Sequence, residues 1–293
     1  MKNDLYTTVT NKIIAELETG AAPWVQPWSG MALGSRSPAN ATSGRAYSGI
    51  NILLLWGRQQ ECNFSSARWL TFKQALEIGG NVRKGEKGTT VCYVNTMIKK
   101  AETESGDSET RRIPFLKAYT VFNVEQCEKL PEHLLPVPAE AINKDDRNSA
   151  ADVFINNTGA TFGHGGARAY YRPSDDSVTL PPFETFLSAD HYYATAYHEL
   201  GHWTGHKSRL ARSMRARFGD QAYAAEELIA ELTAAYICAE QGFDGDVRHA
   251  AYIEGWIKLL KSDKRAIFTA AAKAQQAATL LNDLQCDHAE RAA

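Results

Sequence analysis

The chain has 293 residues, of which 44% are hydrophobic and 23% charged, with a formal net charge of −2. Such a composition excludes a disordered chain, and the apolar segment Ile50 to Trp56, interrupted by Asn51, is too short to span a bilayer. The five cysteines (Cys62, Cys92, Cys127, Cys238, Cys286) are scattered, odd in number and without a Cys-x-x-Cys pair, which argues against a disulfide framework and a thiolate zinc site.

In chain order, Met1 to Tyr6 offers no apolar signal core, so a cytoplasmic protein without membrane contact is expected. Leu5, Val9, Ile13, Ile14 and Leu17 recur at helical spacing behind Asp4 and ahead of Gly20, which predicts an amphipathic helix over 5–19. Residues 20–48 are rich in Pro, Gly, Ser and Ala and read as a loop, yet they hold Trp24, Trp28 and Tyr47. Aromatics in such a segment either plug a groove or stack on a ligand. Short helices are expected over Gly49 to Gln60 and Thr71 to Ile78, the second opened by a Thr71/Gln74 capping box and stopped at Gly79-Gly80. A turn at Lys84 to Gly88 leads into two β-branched and aromatic runs, Thr89 to Ile98 and Ile113 to Val124. They flank the polar stretch Glu102 to Thr110, which suggests a hairpin with a long solvated loop.

Leu130 to Ala141 contains Pro131, Pro136 and Pro138 and lacks periodicity, so it reads as a linker over 131–141 between domains at 1–130 and 142–293. Beyond it, Asp145 to Asn157 looks helical. Ala167 to Arg172 and Ser177 to Pro181 look like two strands around the turn Pro173 to Asp176, and the chain after Ser188 reads as mostly helix. The expected fold class is α+β: an α+β first domain, then a mostly helical second domain with a small antiparallel sheet.

Within the helical part stands His198-Glu199-Leu200-Gly201-His202. Residues four apart share a helix face, so the two histidines can present ring nitrogens to one cation, while Glu199 is placed to act on a water. A chance match to this pattern in a chain of such composition is expected on the order of 0.015 times. A zinc site of this kind takes a third protein ligand. His206 is one candidate, but Gly205 interrupts the run before it. The helix Tyr223 to Leu232 is the other, with Glu227 as ligand and Glu231 four residues later to accept a ring N–H from a ligand histidine and fix its tautomer. Glu226 falls on another helical face, with an exchange of roles with Glu227 left open. Tyr192, Tyr193, Tyr223 and Tyr236 compete as stabilisers of a developing oxyanion, and the strand Ser177 to Pro181 is expected to offer an edge to an extended peptide. The expected cofactor is one divalent ion, zinc, with manganese as the alternative.

Charge divides the chain. Residues 30–100 hold ten Lys/Arg against three Glu, a balance of +7, whereas residues 141–293 hold sixteen basic and twenty acidic residues, a balance of −4. Four of the six tryptophans (Trp24, Trp28, Trp56, Trp69) precede residue 70. Aromatic faces stack on unpaired bases while cations track phosphates, so the first half suits single-stranded nucleic acid. Trp56 reads as core, and Trp69, just ahead of a helix, reads as a staple for it. The candidate contacts are Trp24, Trp28, Arg45, Tyr47, Arg68, Lys84 and Lys87, although a solvated hairpin end explains the Lys84 to Lys87 turn nearly as well.

Several of these segments together resemble one family. Pro23-Trp24, Pro27-Trp28, Gly49-Ile50-Asn51, Trp69 to Ala75, Val82 to Gly88, His198 to His206 and Tyr223 to Leu232 are similar to the ArdC-type antirestriction proteins of conjugative plasmids. The resemblance implies an N-terminal domain that binds single-stranded DNA and a zincin-like C-terminal domain related to proteases of DNA–protein crosslinks. It also implies a role in protecting incoming plasmid DNA from host restriction. On it, His198, His202 and Glu227 map to the metal ligands. Expected partners are single-stranded DNA and a DNA-bound protein substrate. Two alternatives to a DNA-tethered metallopeptidase are a DNA-binding protector whose metal is structural and a peptidase of a soluble regulator.

Overall fold

A computed structural model describes residues 4–20, 22, 24, 37–102, 108–134, 148–243 and 250–292. Helix α1 (Leu5–Glu18) starts where the Asp4 carboxylate accepts the Tyr6 N–H, and Gly20 follows its end at φ +83°. Helix α2 covers Ile50–Cys62, and α3 covers Phe72–Glu77 with both halves of the Thr71/Gln74 capping box formed.

The first sheet runs β1 (Ala39–Asn40), β2 (Arg68–Leu70), β5 (Ser108–Asn123), β4 (Thr89–Glu102), and a second pair joins β3 (Asn81–Val82) to β6 (Cys127–Glu128). The β4–β5 ladder extends from Thr89↔Val121 to Glu102↔Ser108, so Glu102 and residues 108–110 are paired where the sequence suggested a loop. A ladder is closed by backbone groups, and polar side chains on a wet strand do not end it.

The second part begins with α4 (Ser149–Asn157), capped by Asn148, and a three-stranded sheet ordered β7 (Thr161–His164), β9 (Ser177–Leu180), β8 (Tyr170–Arg172). The β8–β9 pairing is antiparallel, as expected. β7, whose short exposed sequence carries no alternation signal, adds to β9 in parallel and makes the sheet mixed. The expectation that Ser177 to Pro181 offers an edge is therefore corrected: β9 is the central strand and β8 is an edge. Helices α5 (Ala189–Thr204), α6 (Arg215–Phe218), α7 (Ala222–Gln241), α8 (Ala250–Ser262) and α9 (Ala266–Ala292) complete the described chain.

One hydrophobic cluster joins α1 and α2 to α5, α7, α8 and α9. Trp24 packs edge-on against Trp256 with centroids 5.5 Å apart, and Trp56 lies 6.0 Å from Tyr236. Polar contacts reinforce this junction: Thr10 Oγ1 donates to the Lys264 carbonyl at 2.7 Å, and Tyr236 Oη to the Gly49 carbonyl at 3.2 Å. Apolar area from both ends of the chain thus leaves water in a single core, at roughly 25 cal/mol per Å². The N-terminal sheet has its own smaller cluster of Leu55, Trp69, Val91 and Val121.

Candidate metal centre

Helix α5 is capped by Ser188, whose hydroxyl accepts the His191 N–H, and continues to Thr204 with no breaker before Gly201. It lies closely against α7. A Cβ on Gly201 would stand 2.9 Å from the Ala230 Cα, so a glycine in mid-helix, at a cost of about 1 kcal/mol relative to alanine, allows the two helices this approach. The close crossing brings Glu227 to the histidines.

The Nε2 atoms of His198 and His202 are 3.2 Å apart. Glu227 Oε2 lies 3.5 Å from His198 Nε2, and its Oε1 lies 3.6 Å from His202 Nε2. Among the described residues, His198, His202 and Glu227 are the group whose ligand atoms all fall within 4.8 Å of one another. Four ligands on bonds near 2.1 Å in a tetrahedron are separated by about 3.4 Å, so the donor set fits one small divalent cation. Glu231 Oε2 approaches the other nitrogen of His198, Nδ1, at 3.4 Å, and Glu226 Oε1 approaches His202 Nδ1 at 3.6 Å.

The charges follow from this crowding. Burial opposes a proton on His198, but Glu227 and Glu231 outweigh it and lift the pKa to about 10. Burial would raise Glu227, yet hydrogen bonds from His198 and His202 hold it far below the carboxylate range. Glu199, 7% exposed, is shifted upward chiefly by burial, and it accepts the backbone N–H of Tyr171. His198, Glu199, His202, Glu226 and Glu227 line a cleft of about 720 Å³ together with Tyr170, Tyr171, His206, Tyr223 and Tyr252.

Residues 3–122 match the family model for the N-terminal domain of anti-restriction factor ArdC, and residues 149–273 match that for a zincin-like metallopeptidase. The crystal structure of the antirestriction ArdC protein from the R388 plasmid, metal-free, superimposes with a TM-score of 0.83 at 43% identity, covering 97% of this chain and 98% of that one. This chain belongs to the ArdC antirestriction family. The Mn(II)-bound structure of the same R388 protein gives a TM-score of 0.76. An uncharacterised protein of Sinorhizobium fredii, y4eC, is 40% identical over 97% of this chain and 93% of its own length. DNA primase TraC of Escherichia coli is also 40% identical in two forms, but the chain spans just 20% and 27% of their lengths. The family assignment supports a zincin-like fold with a site for a divalent metal.

The other candidate residues divide by exposure. His206 stands in the cleft, but its Nδ1 faces Ser208 Oγ at 2.8 Å, and it is not in the converging group. Tyr192 pairs with His164 at 2.9 Å, Tyr193 donates to the Asn148 carbonyl and Asp152, and Tyr236 reaches Gly49. Those three are buried, whereas Tyr223 is 65% exposed and lines the cleft.

In the ArdC-type N-terminal half, Trp24 is corrected as a DNA contact. It is 1% exposed because its ring closes the core against Trp256. Trp28 lies outside the described residues. Tyr47 is half-buried against the Trp69 cluster, Arg68 is half-buried, and Arg45, Lys84 and Lys87 are exposed. Tyr93 and Tyr119 are not among the residues expected from the sequence. They are 55% and 42% exposed, form an edge-on pair with centroids 6.5 Å apart, and Lys117 Nζ sits 5.1 Å from the Tyr119 ring. Lys117 pairs with Tyr93 across the ladder and Tyr119 is two residues on, so all three share one sheet face. The alternation Tyr93, Lys117, Tyr119 about the hairpin was the available signal.

Proposed function

We propose that the protein binds single-stranded DNA through its basic N-terminal half and, with one divalent cation held by His198, His202 and Glu227, hydrolyses peptide bonds of a DNA-bound protein. In the cytoplasm this protects incoming plasmid DNA from host restriction during conjugation. The observation that carries the hydrolytic half is the convergence of two imidazole nitrogens and one carboxylate beside buried Glu199 in an open cleft. Zinc is the preferred ion, because two imidazoles and one carboxylate are a donor set that a catalytic zinc site takes, leaving its fourth position for water.

A cation in that place supplies Lewis acidity toward a carbonyl and makes water a stronger acid. Glu199 is the proton carrier: burial raises its affinity for a proton, which suits a group that takes one from water and returns it to a leaving amine. The Tyr171 N–H ties that base to β8, an edge strand among the described residues that walls the cleft in which an extended peptide would lie. Tyr223, held near Glu227 and Tyr252, is our candidate for stabilising charge on the scissile carbonyl. On the first sheet, Tyr93 and Tyr119 offer faces for bases. Lys117, Arg45, Arg68, Lys84 and Lys87 offer charge for phosphates.

Glu199→Gln tests the assignment, since it keeps shape and metal ligands while removing the base. Loss of both peptidase activity and protection, with cation content and DNA binding intact, is expected. Full protection by this variant would instead support a DNA-binding protector with a structural metal, a reading favoured by the single core that joins α1 and α2 to the metal-bearing helices.

A further inference from the structure

Arg212 follows the metal-motif helix in a loop, yet its side chain is 1% exposed. Its Nη2 donates to the Gly201 carbonyl at 2.7 Å and its Nη1 to Thr204 Oγ1 at 3.0 Å. Its Nε donates to both Glu226 oxygens, at 3.1 and 3.0 Å. A Cβ at position 205 would lie 2.8 Å from Arg212 Nη2, so Gly205 leaves the guanidinium its seat. The Glu226 carboxylate thus anchored points its Oε1 at His202 Nδ1, 3.6 Å away, on the opposite side of the ring from Nε2, which faces His198 and Glu227. Glu226 is therefore placed behind a ligand, away from the cation's position, and the arginine fork holds its two oxygens there.

We propose that Arg212 and Glu226 form a positioning pair that fixes the His202 tautomer and ring plane, with Nδ1–H toward Glu226 and the Nε2 lone pair toward the cation. The pair is the counterpart of Glu231 at His198, so each histidine has its own carboxylate. This inference rests on the metal-site reading above.

The test uses the full-length protein with Zn²⁺, titrated against a chromophoric chelator, and with Co²⁺, read by its visible absorption. Glu226→Gln keeps the size of the side chain but loses the negative charge and one of the two oxygens that Arg212 holds, and it is expected to weaken Zn²⁺ binding about 10- to 100-fold and to alter the Co²⁺ spectrum. Arg212→Lys keeps the charge but not the fork, and an intermediate loss with the same spectral change is expected. The melting temperature of the metal-free protein separates a loss of orientation from a loss of fold, and in Arg212→Lys it should stay near that of wild type. Zn²⁺ affinity within about twofold of wild type and a superimposable Co²⁺ spectrum in both variants would overturn the positioning role. A wild-type protein that takes up neither ion, or a His202→Ala variant that binds as tightly as wild type, overturns the metal site itself and is a separate result.

Discussion

The candidate metal cleft and the N-terminal sheet face proposed to hold DNA place opposite demands on their side chains. At the metal site, six ionisable side chains from α5 and α7 are crowded until each determines the charge of the next, and Glu199, Glu227 and Glu231 are all buried. On the sheet, the useful groups are those left outside: Tyr93, Tyr119 and Lys117 project from a ladder whose neighbouring rings, Trp69 and Phe64, are packed together. Chemistry at a cation depends on convergence and desolvation, whereas recognition of a flexible strand depends on exposure. A single substitution should therefore abolish the first and merely erode the second.

The sharpest break in that contrast would come from the cleft. Glu199→Gln should lower peptide hydrolysis by about 10²- to 10⁴-fold with the metal content unchanged, measured by turnover beside metal analysis. A smaller effect would mean that the crowded acid is not the base.

Next in size is a comparison of two aromatics from the same half. Trp24→Ala should cost about 3–5 kcal/mol of stability in denaturant unfolding, because its ring is core. Tyr93→Ala, at an exposed site, should leave stability nearly unchanged but weaken binding of a short single strand by about 1–3 kcal/mol, roughly 5- to 150-fold. The reverse pattern would exchange the roles of the two surfaces.

Gly201→Ala probes how closely the helices must approach. The added methyl meets the Ala230 backbone, so a loss of about 1–3 kcal/mol is expected, with cation affinity falling as Glu227 is pushed away. Retained affinity would show that the crossing is looser than the geometry requires.

The smallest effect concerns Asp176. Arg209 hydrogen-bonds to it and stacks over Trp203 at 3.7 Å, tying the β8–β9 turn to the end of α5. This holds the Asp176 pKa at about 2, below its ordinary 3.8, so its contribution is complete above pH 3.8 and lost as the pH falls toward 2. Asp176→Asn should remove less than about 1 kcal/mol at neutral pH, because the carboxylate is partly exposed, and should flatten the acid limb of a stability profile.

Much of the cleft was legible in the chain because its information is local. His198 and His202 are one helical turn apart with Glu199 between them, the Glu227/Glu231 spacing repeats it, and Ser188 and Thr71 mark helix starts by their own side chains. Periodicity of 3.6 residues converts such spacing into a shared face before any tertiary contact exists. The helix α1, the capping box and the β8–β9 antiparallel pair were readable for the same reason.

What the sequence did not determine depends on which elements meet. The burial of Trp24 is decided by Trp256, more than two hundred residues away, and the demotion of β9 from edge to centre by the parallel arrival of β7. Glu226 likewise acquired its place behind His202 because Arg212, fourteen residues earlier in the chain, folds back over Gly205. Spacing along the chain fixes what a single helix presents; exposure, strand order and the partner of a buried charge are set by packing among distant segments, where burial drives the assembly and no local pattern records the outcome.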